Sequence, residues 1–497
     1  MSRGYRPNML VMMTDQHSRH FLGCYGNAVV RTPSMDRLAA GGMRFTDAYC
    51  AAPLCVPSRM SFMTTRTPGK NRVWANMHVL SSGIPTWAHA LGAAGYETSL
   101  IGRMHFVGAD HRHGFETRPI GEFSAVHPGV PRKGGDRWAR FPSATSGQSR
   151  ESVEIAGKGT TSYQWYDEQV TETACRYLRE KARDRGGRPF AAVVGYVLPH
   201  CPFVAPAELF DYYYDRIDLP EVEERQPETV RRYRSHRGIL DPPLPAERVR
   251  VALAAYDALC EYSDFLIGNV LDALEETGLD RDTLVVYTSD HGETAGEHGC
   301  WWKSNYYEGS AGVPLVCRLP GVVREGVSSG AVCNVMDLGA TIIDLAGAQP
   351  LPNGDGRSLL PLLRDGEDAG WPDETFCELV DFRGETHPAL PSRMIRSGQW
   401  KYWEFCDPDG LPPALFDLEA DPGEVCDLGQ ESKYTDVRKM LSQRLHQGWN
   451  PEQAAAEALD GRACHNALAA WGREVMPECP DALSAPHPPV EADVVLL

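Results

Sequence analysis

The chain has 497 residues, 42% of them hydrophobic and 23% charged, with 49 Lys and Arg against 67 Asp and Glu. That composition supports a large folded core and excludes a disordered polymer, and a net charge of −18 excludes a general binder of nucleic acid or other polyanions. The 14 cysteines are scattered, without the close pairing of a zinc module or a small disulfide scaffold, so most read as reduced core residues.

The first segment, "MSRGYRPNMLVMMTDQH", holds one apolar run of strand length that stops at Asp15. It has no signal-peptide apolar region, cleavage signature or membrane span, so a soluble cytoplasmic protein is expected. "TPSMDRLAAGG" reads as a capped helix closing at glycine. "LCVPSRMSFMTTR" (54–66) reads as the start of an apolar-faced helix, and "PTWAHALGAAG" as another closing at glycine. Residues 120–161 are rich in Gly, Pro, Ser and Arg without a period, which predicts a long loop near a site, where it would set substrate choice. "DEQVTETACRYLREKARDR" predicts an amphipathic helix, and "FAAVVGYVLPH" a buried strand. Leu253, Tyr256, Leu259, Cys260, Leu266, Val270, Leu271 and Leu274 recur mostly at three- and four-residue steps, which predicts one long helix over 247–278. "TLVVYTSDHG" predicts a further strand. After Asp365 the texture changes, and "SRMIRSGQWKYWEF" and "ALFDLEADPGE" read as strands of a smaller antiparallel α+β unit, followed by a helix and a Pro-rich tail. The alternation of strand and helix gives an α/β class, with a main domain over 1–370 and a smaller one over 371–497.

Three strands end in groups that bind metal or move protons: Asp15 with Gln16, His200 after Pro199, and Asp290 with His291. Ligands of open α/β sheets bind at the carboxyl ends of strands, so these groups are expected to converge. Two carboxylates, an amide oxygen and an imidazole suit a divalent ion of the Ca²⁺ or Mn²⁺ kind, although each pair alone is also what a turn or helix cap supplies. His105 and His200 follow apolar runs and suit proton transfer near neutral pH, unless each is merely an imidazole satisfied by backbone. Lys303, beside Trp301 and Trp302, would hold an anionic ester or its leaving oxygen; its plainer reading is an exposed lysine. Arg59 and Arg66 fall on one helical face, and an anion at that helix's N-terminus would meet Cys55, backbone N–H groups and Arg59. Cys55 itself reads four ways: buried hydrophobe, metal ligand, thiolate nucleophile or site of modification.

Cys55, Pro57, Ser58, Arg59, Thr64 and Arg66 stand at the spacing of CxPSR followed by TGR, and on these residues the chain resembles the type I sulfatases of the alkaline phosphatase superfamily. The resemblance extends through "PNMLVMMTDQ", "LGCYGN", "TPSMDRLAAGGMRFTDAYCAAPLC", "SDHGETAGEHG", "DLGATIIDLAG" and "LFDLEADPGE", covering most of 7–430. It implies an alkaline phosphatase-like central mixed sheet flanked by helices, with a smaller C-terminal α+β subdomain. It also implies that a maturation enzyme converts Cys55 to formylglycine. One hydroxyl of the hydrated aldehyde would attack sulfur, and deprotonation of the other would re-form the aldehyde and expel sulfate, an exit that serine or a thiol lacks. The resemblance assigns Asp15, Gln16, Asp290 and His291, with residue 55, to one divalent cation, Ca²⁺ first and Mn²⁺ or Mg²⁺ as alternatives. It places Arg59 beside nucleophile and metal, His105 at the second hydroxyl, and His200 and Lys303 at the scissile oxygen.

The chain departs from the family pattern at three positions. Thr65 replaces the glycine of TGR at what reads as a helix position, Arg103 stands for the lysine of GKxH, and Gly312 stands where an arginine often precedes "VP". The Gln16 and His291 pair resembles the choline-sulfatase and phosphonate monoester hydrolase branches. "GRMHFVGADHRHGFE", "WWKSNYYEGSAGVP" and the helix after "GWNPEQ" lean to the former. The expected substrate is a sulfated sugar, aryl or small-alcohol ester, with Trp301, Trp302, Trp138 and the 120–161 loop available to the alcohol. Rival readings are a phosphonate monoester or phosphodiester hydrolase with the same site, and a non-catalytic anion-binding relative. A homo-oligomer without nucleic-acid or membrane partners is expected.

Overall fold

Eight strands form one sheet: Asn8–Asp15 (β1), Met43–Phe45 (β2), Glu97–Gly102 (β3), Thr117–Ile120 (β4), Phe190–Pro199 (β5), Thr283–Ser289 (β6), Leu315–Arg318 (β7) and Val327–Ser329 (β8). Their order across the sheet is β8-β2-β7-β6-β1-β5-β3-β4. β1 lies centrally and pairs in parallel with β5 and β6, whereas β7 runs antiparallel to β2 and β6, so the sheet is mixed. Met9, Val11 and Met13 of β1 enter one core and Leu10 and Met12 the other. A strand buried on both faces reads as a continuous apolar run rather than an alternation, which is how "NMLVMM" appears.

This computed structural model describes residues 6–122, 127–130, 148–184, 186–366, 369–382, 389–408, 410–478 and 495–496. Trp138 and half of the 120–161 stretch, like most of the Pro-rich tail, lie outside the described residues; in the other half Arg150–Glu154 is a helix and Gly157–Lys158 a short strand, so the expectation of one long loop is corrected there.

Helices Pro33–Ala40 (α1), Ser162–Arg183 (α4) and Ala246–Glu276 (α5) cover the face of Leu10 and Met12. Cys55–Thr64 (α2), Trp87–Ala93 (α3) and Val335–Leu345 (α6) cover the other. α4 begins earlier than its apolar pattern suggested, because Thr161 and Gln164 form a capping box in which Thr161 N donates to Gln164 Oε1 at 2.8 Å. Thr65 is not a helix position. α2 stops at Thr64, and Thr65 is its left-handed C-cap at φ 56°, where glycine is at ease and a β-branched residue is strained. Its side chain fits because Gly354 lies against it: a Cβ there would stand 2.6 Å from Thr65 Oγ1.

Beyond residue 370, Glu374–Phe382 (β9), Ala389–Ser397 (β10), Trp400–Phe405 (β11) and Ala414–Asp417 (β12) form an antiparallel four-stranded meander. Thr435–Leu445 (α7) packs Leu441 and Leu445 on Ile395, Tyr402 and Leu415, and Pro451–Val475 (α8) sets Ala454 and Ala458 on Trp74 and Val380. Buried charges join this sheet to the first. Lys401 Nζ lies 2.6 Å from Glu308 Oε1 and 2.8 Å from Glu424 Oε1, Arg19 pairs with Glu308, and Tyr49 Oη donates to Glu308 Oε1 at 3.0 Å. Arg396 spans Tyr49 and Asp47. The same seam accounts for Gly312: a Cβ there would stand 2.7 Å from Glu308 O and 3.0 Å from Arg19 Cζ, so Arg19 fills the space.

Candidate active site

The parallel register sets Asp15 beside Pro199 and Thr14 beside Ser289, so β1, β5 and β6 deliver Asp15–Gln16, His200 and Asp290–His291 to one place. The N-terminus of α2 faces them. Leu54 is extended, and Cys55 opens the helix with Sγ 3.2 Å from His291 Nε2, 3.6 Å from Asp15 Oδ1 and 3.1 Å from Lys303 Nζ.

One ligand atom each from Asp15, Cys55, Asp290 and His291 lies within 4.8 Å of the others, and all four residues are buried. His291 Nδ1 donates to Gly292 O at 2.9 Å, which leaves the Nε2 lone pair facing Asp290 Oδ1 at 3.6 Å and Asp15 Oδ1 at 3.7 Å. Three electron-rich atoms that converge in this way repel one another until a cation sits among them, so the donor set fits a divalent ion. Burial, then Lys303, holds the His291 imidazole below its ordinary range, which is the neutral form a metal takes.

Arg59 runs beneath this cluster. Nε donates to Asp290 Oδ2 at 2.8 Å and Nη2 to Asp15 Oδ2 at 3.1 Å, so it is committed to the carboxylates rather than to an incoming anion. Arg103 Nε donates to the same Asp15 Oδ2 at 2.8 Å. Burial alone would raise the Asp15 carboxyl, but Arg103 and Arg59 together hold it well below the usual range. Arg103 also pairs with Glu122 at 3.1 Å and donates Nη2 to His105 Nδ1 at 2.8 Å. His105, at φ 61°, is anchored through its backbone N–H to Glu122 Oε2 at 2.8 Å. Burial and then Arg103 push its pKa well down, so the ring is neutral with its hydrogen on Nε2. His200 donates Nδ1 to Cys201 O at 2.6 Å and is also held low, by burial and Lys303.

Lys303 is 3% exposed, which removes its reading as a surface lysine. Its ammonium donates to Gln16 Oε1 at 2.7 Å as well as to Cys55 Sγ. Burial opposes its charge, yet Cys55 and Asp15 raise its pKa overall.

Two expectations are corrected. Arg66 lies past the end of α2 and donates to Pro352 O at 2.7 Å, far from sharing a face with Arg59. Trp301 and Trp302 are 1% and 0% exposed, packed in the core and closed to a substrate alcohol. Three residues of the site were given no role by the sequence reading. Ser58 donates Oγ to Asp290 O at 2.6 Å, Glu122 anchors Arg103 and His105, and fully buried Glu293 accepts from Gln16 Nε2, with burial pushing its carboxyl up to about 7. Only Ser58 carried a signal, its place within the CxPSR spacing.

The model of the family described as Sulfatase matches residues 7–348, and that described as N-sulphoglucosamine sulphohydrolase, C-terminal, matches 296–450. The chain belongs to the sulfatase family. It is 35% identical to the choline-sulfatase of Rhizobium meliloti (strain 1021), over 86% of this chain and 83% of that one. It is 30% identical to arylsulfatase K of Gallus gallus, over 85% and 79%. The phosphonate monoester hydrolase of Agrobacterium radiobacter superposes with a TM-score of 0.72 at 26% identity, covering 93% of this sulfatase and 96% of that chain. Among the described residues of this sulfatase no helix is long and apolar enough to cross a membrane, and every cysteine is free.

Proposed function

We propose that this sulfatase hydrolyses the sulfate ester of a sugar, aryl or small alcohol at a formylglycine made from Cys55. The observation that carries the reading is the setting of Cys55. Its sulfur, 1% exposed as a residue, opens a helix at the centre of the cation-binding cluster with Lys303 Nζ 3.1 Å away. Once oxidised, residue 55 supplies a hydrated aldehyde, one hydroxyl to attack sulfur and a second whose deprotonation releases sulfate. Asp15, Gln16, Asp290 and His291, with residue 55, would hold Ca²⁺, or Mn²⁺ or Mg²⁺. The ion supplies positive charge that favours the ionised nucleophile and offsets the sulfate oxygens.

Arg59 and Arg103 hold Asp15 ionised and fix its angle. Lys303 offers N–H and charge to the oxygen that leaves with the alcohol, and His200, whose Nδ1–H is held by Cys201 O, presents its Nε2 edge there and delivers a proton once that nitrogen has taken one up. Neutral His105 takes the proton of the second hydroxyl, at the expense of its Nδ1 contact with Arg103, since an imidazolium has no lone pair for that guanidinium. A cytoplasmic location, a formylglycine-generating maturation enzyme as partner and a homo-oligomer belong to the same proposal, the last tested by the mass in light scattering.

Mass spectrometry of the tryptic peptide carrying residue 55, from protein made with the maturation enzyme present, is expected to show the aldehyde. Cysteine throughout would favour a non-catalytic anion-binding relative. A second reading rests on the superposition with the phosphonate monoester hydrolase. Turnover of an aryl sulfate is expected to exceed that of an aryl phosphonate monoester, and a strong reverse preference would overturn the sulfate reading.

A further inference from the structure

A carboxamide has a donor end and an acceptor end of nearly equal shape, so a glutamine beside a metal site works only if something decides which end faces in. Gln16 follows Asp15 at a left-handed φ of 68° and spans two groups. Oε1 accepts from Lys303 Nζ at 2.7 Å, and Nε2 donates to Glu293 Oε2. Lys303 is an obligate donor, which settles the orientation of the amide. Glu293 is 0% exposed, and its other oxygen accepts from the backbone N–H of Ala295 at 2.8 Å and from that of Trp302. Each of these three neighbours is an N–H donor, so the carboxyl accepts on both oxygens.

We propose that Glu293 is a positioning residue that locks the Gln16 amide with its oxygen toward the cation cluster and Lys303. The inference rests on the metal centre proposed above. Turning the amide over would set its NH₂ against the Lys303 ammonium and the cation, and its oxygen against the Glu293 carboxylate, so both ends would repel.

The consequence is a swap that can be made in the laboratory. In Glu293→Gln the two backbone N–H groups claim the new side-chain oxygen, so its NH₂ faces Gln16. Gln16 is then opposed at one end whichever way it lies, NH₂ against NH₂ with its oxygen kept inward, or NH₂ against Lys303 and the cation if it turns. Gln16→Glu instead sets two carboxylates face to face. In the double variant Gln16→Glu/Glu293→Gln, the carboxylate at 16 accepts from the amide at 293 and keeps its second oxygen for Lys303 and the cation, with net charge unchanged.

The test uses the full-length protein, stripped of metal and titrated calorimetrically with Ca²⁺ and with Mn²⁺, with a thermal melt of each metal-free variant alongside. Each single variant is expected to bind the ion roughly 10- to 100-fold more weakly, and the double variant to return to within about threefold of wild type. Glu293→Gln added to Gln16→Ala is expected to cost no further affinity, because the group through which Glu293 acts is already gone. Wild-type affinity in Glu293→Gln, or a double variant no better than the weaker single, would overturn the inference. So would a lower melting temperature in Glu293→Gln with unchanged affinity, which is what a purely structural glutamate gives. A wild type that binds neither ion overturns the metal centre as well, whereas ion binding without the rescue overturns only the role of Glu293.

Discussion

The seam between the two sheets and the active site are both buried and both charged, yet they are satisfied differently. At the seam Lys401 lies between Glu308 and Glu424 at 2.6 and 2.8 Å, and Arg19 and Tyr49 take up what remains of Glu308. Burial there would raise the Glu308 carboxyl, but Lys401 and Arg19 overrule it and hold the group well down. In the active site the His291 lone pair faces two carboxylate oxygens at 3.6 and 3.7 Å, and the Lys303 ammonium is directed at a sulfur and an amide oxygen. The seam sets each carboxylate against a cation of the chain itself. The site leaves electron-rich atoms facing one another, a mismatch that fits the cation proposed above.

Cys55→Ala gives the sharpest separation. Turnover of an aryl sulfate should fall by at least about 10⁴-fold, equivalent to ~5.5 kcal/mol of barrier, with the melting temperature nearly unchanged. A clear loss of stability would make the site a structural network like the seam.

Lys401→Met is its counterpart. It strands the Glu308 and Glu424 carboxylates and should cost ~3–5 kcal/mol in urea unfolding, while kcat per folded molecule is retained. A cost below ~1 kcal/mol would break the comparison from the other side.

Asp257 is a third kind of buried charge. It sits in α5 with no partner for Oδ1 among the described residues, and burial pushes its carboxyl up to about 8. The unfolded chain gives up this proton in the ordinary carboxylate range and the folded chain only near 8, so stability is lost as pH rises through that window. Asp257→Asn should therefore be more stable than wild type by up to ~5 kcal/mol at pH 8 and no different near pH 4, by urea titration at both. Thr65→Gly, which relieves a left-handed residue remote from the chemistry, should gain ~1 kcal/mol or less and leave kcat untouched.

The strand ends were legible because parallel strands buried on both faces announce themselves as apolar runs, and their carboxyl ends were read at Asp15, His200 and Asp290. Cys55 was legible through the CxPSR spacing that carries the family resemblance, and Lys303 through that resemblance alone, its own setting having read equally as an exposed lysine. Glu122 and Glu293 were not, because each lies in irregular backbone where no period constrains it and its partners come from elsewhere in the fold, as with Gln16 for Glu293. The left-handed turn at Thr65 was hidden because a threonine gives no sign of positive φ. Trp301 and Trp302 looked available because burial of an aromatic pair is decided by tertiary packing. The seam draws on Arg19, Glu308, Lys401 and Glu424, a set that composition and spacing do not bring together.

Cys55 lies 236 residues before His291, yet their side chains are 3.2 Å apart. At ribosomal rates of about 5–20 residues per second, roughly 10–50 s pass between the emergence of one and of the other. Throughout that interval the strand that closes the pocket does not exist. The thiol that ends 1% exposed is thus uncovered on the growing chain, and the modification proposed for position 55 would meet least obstruction before His291 has been made.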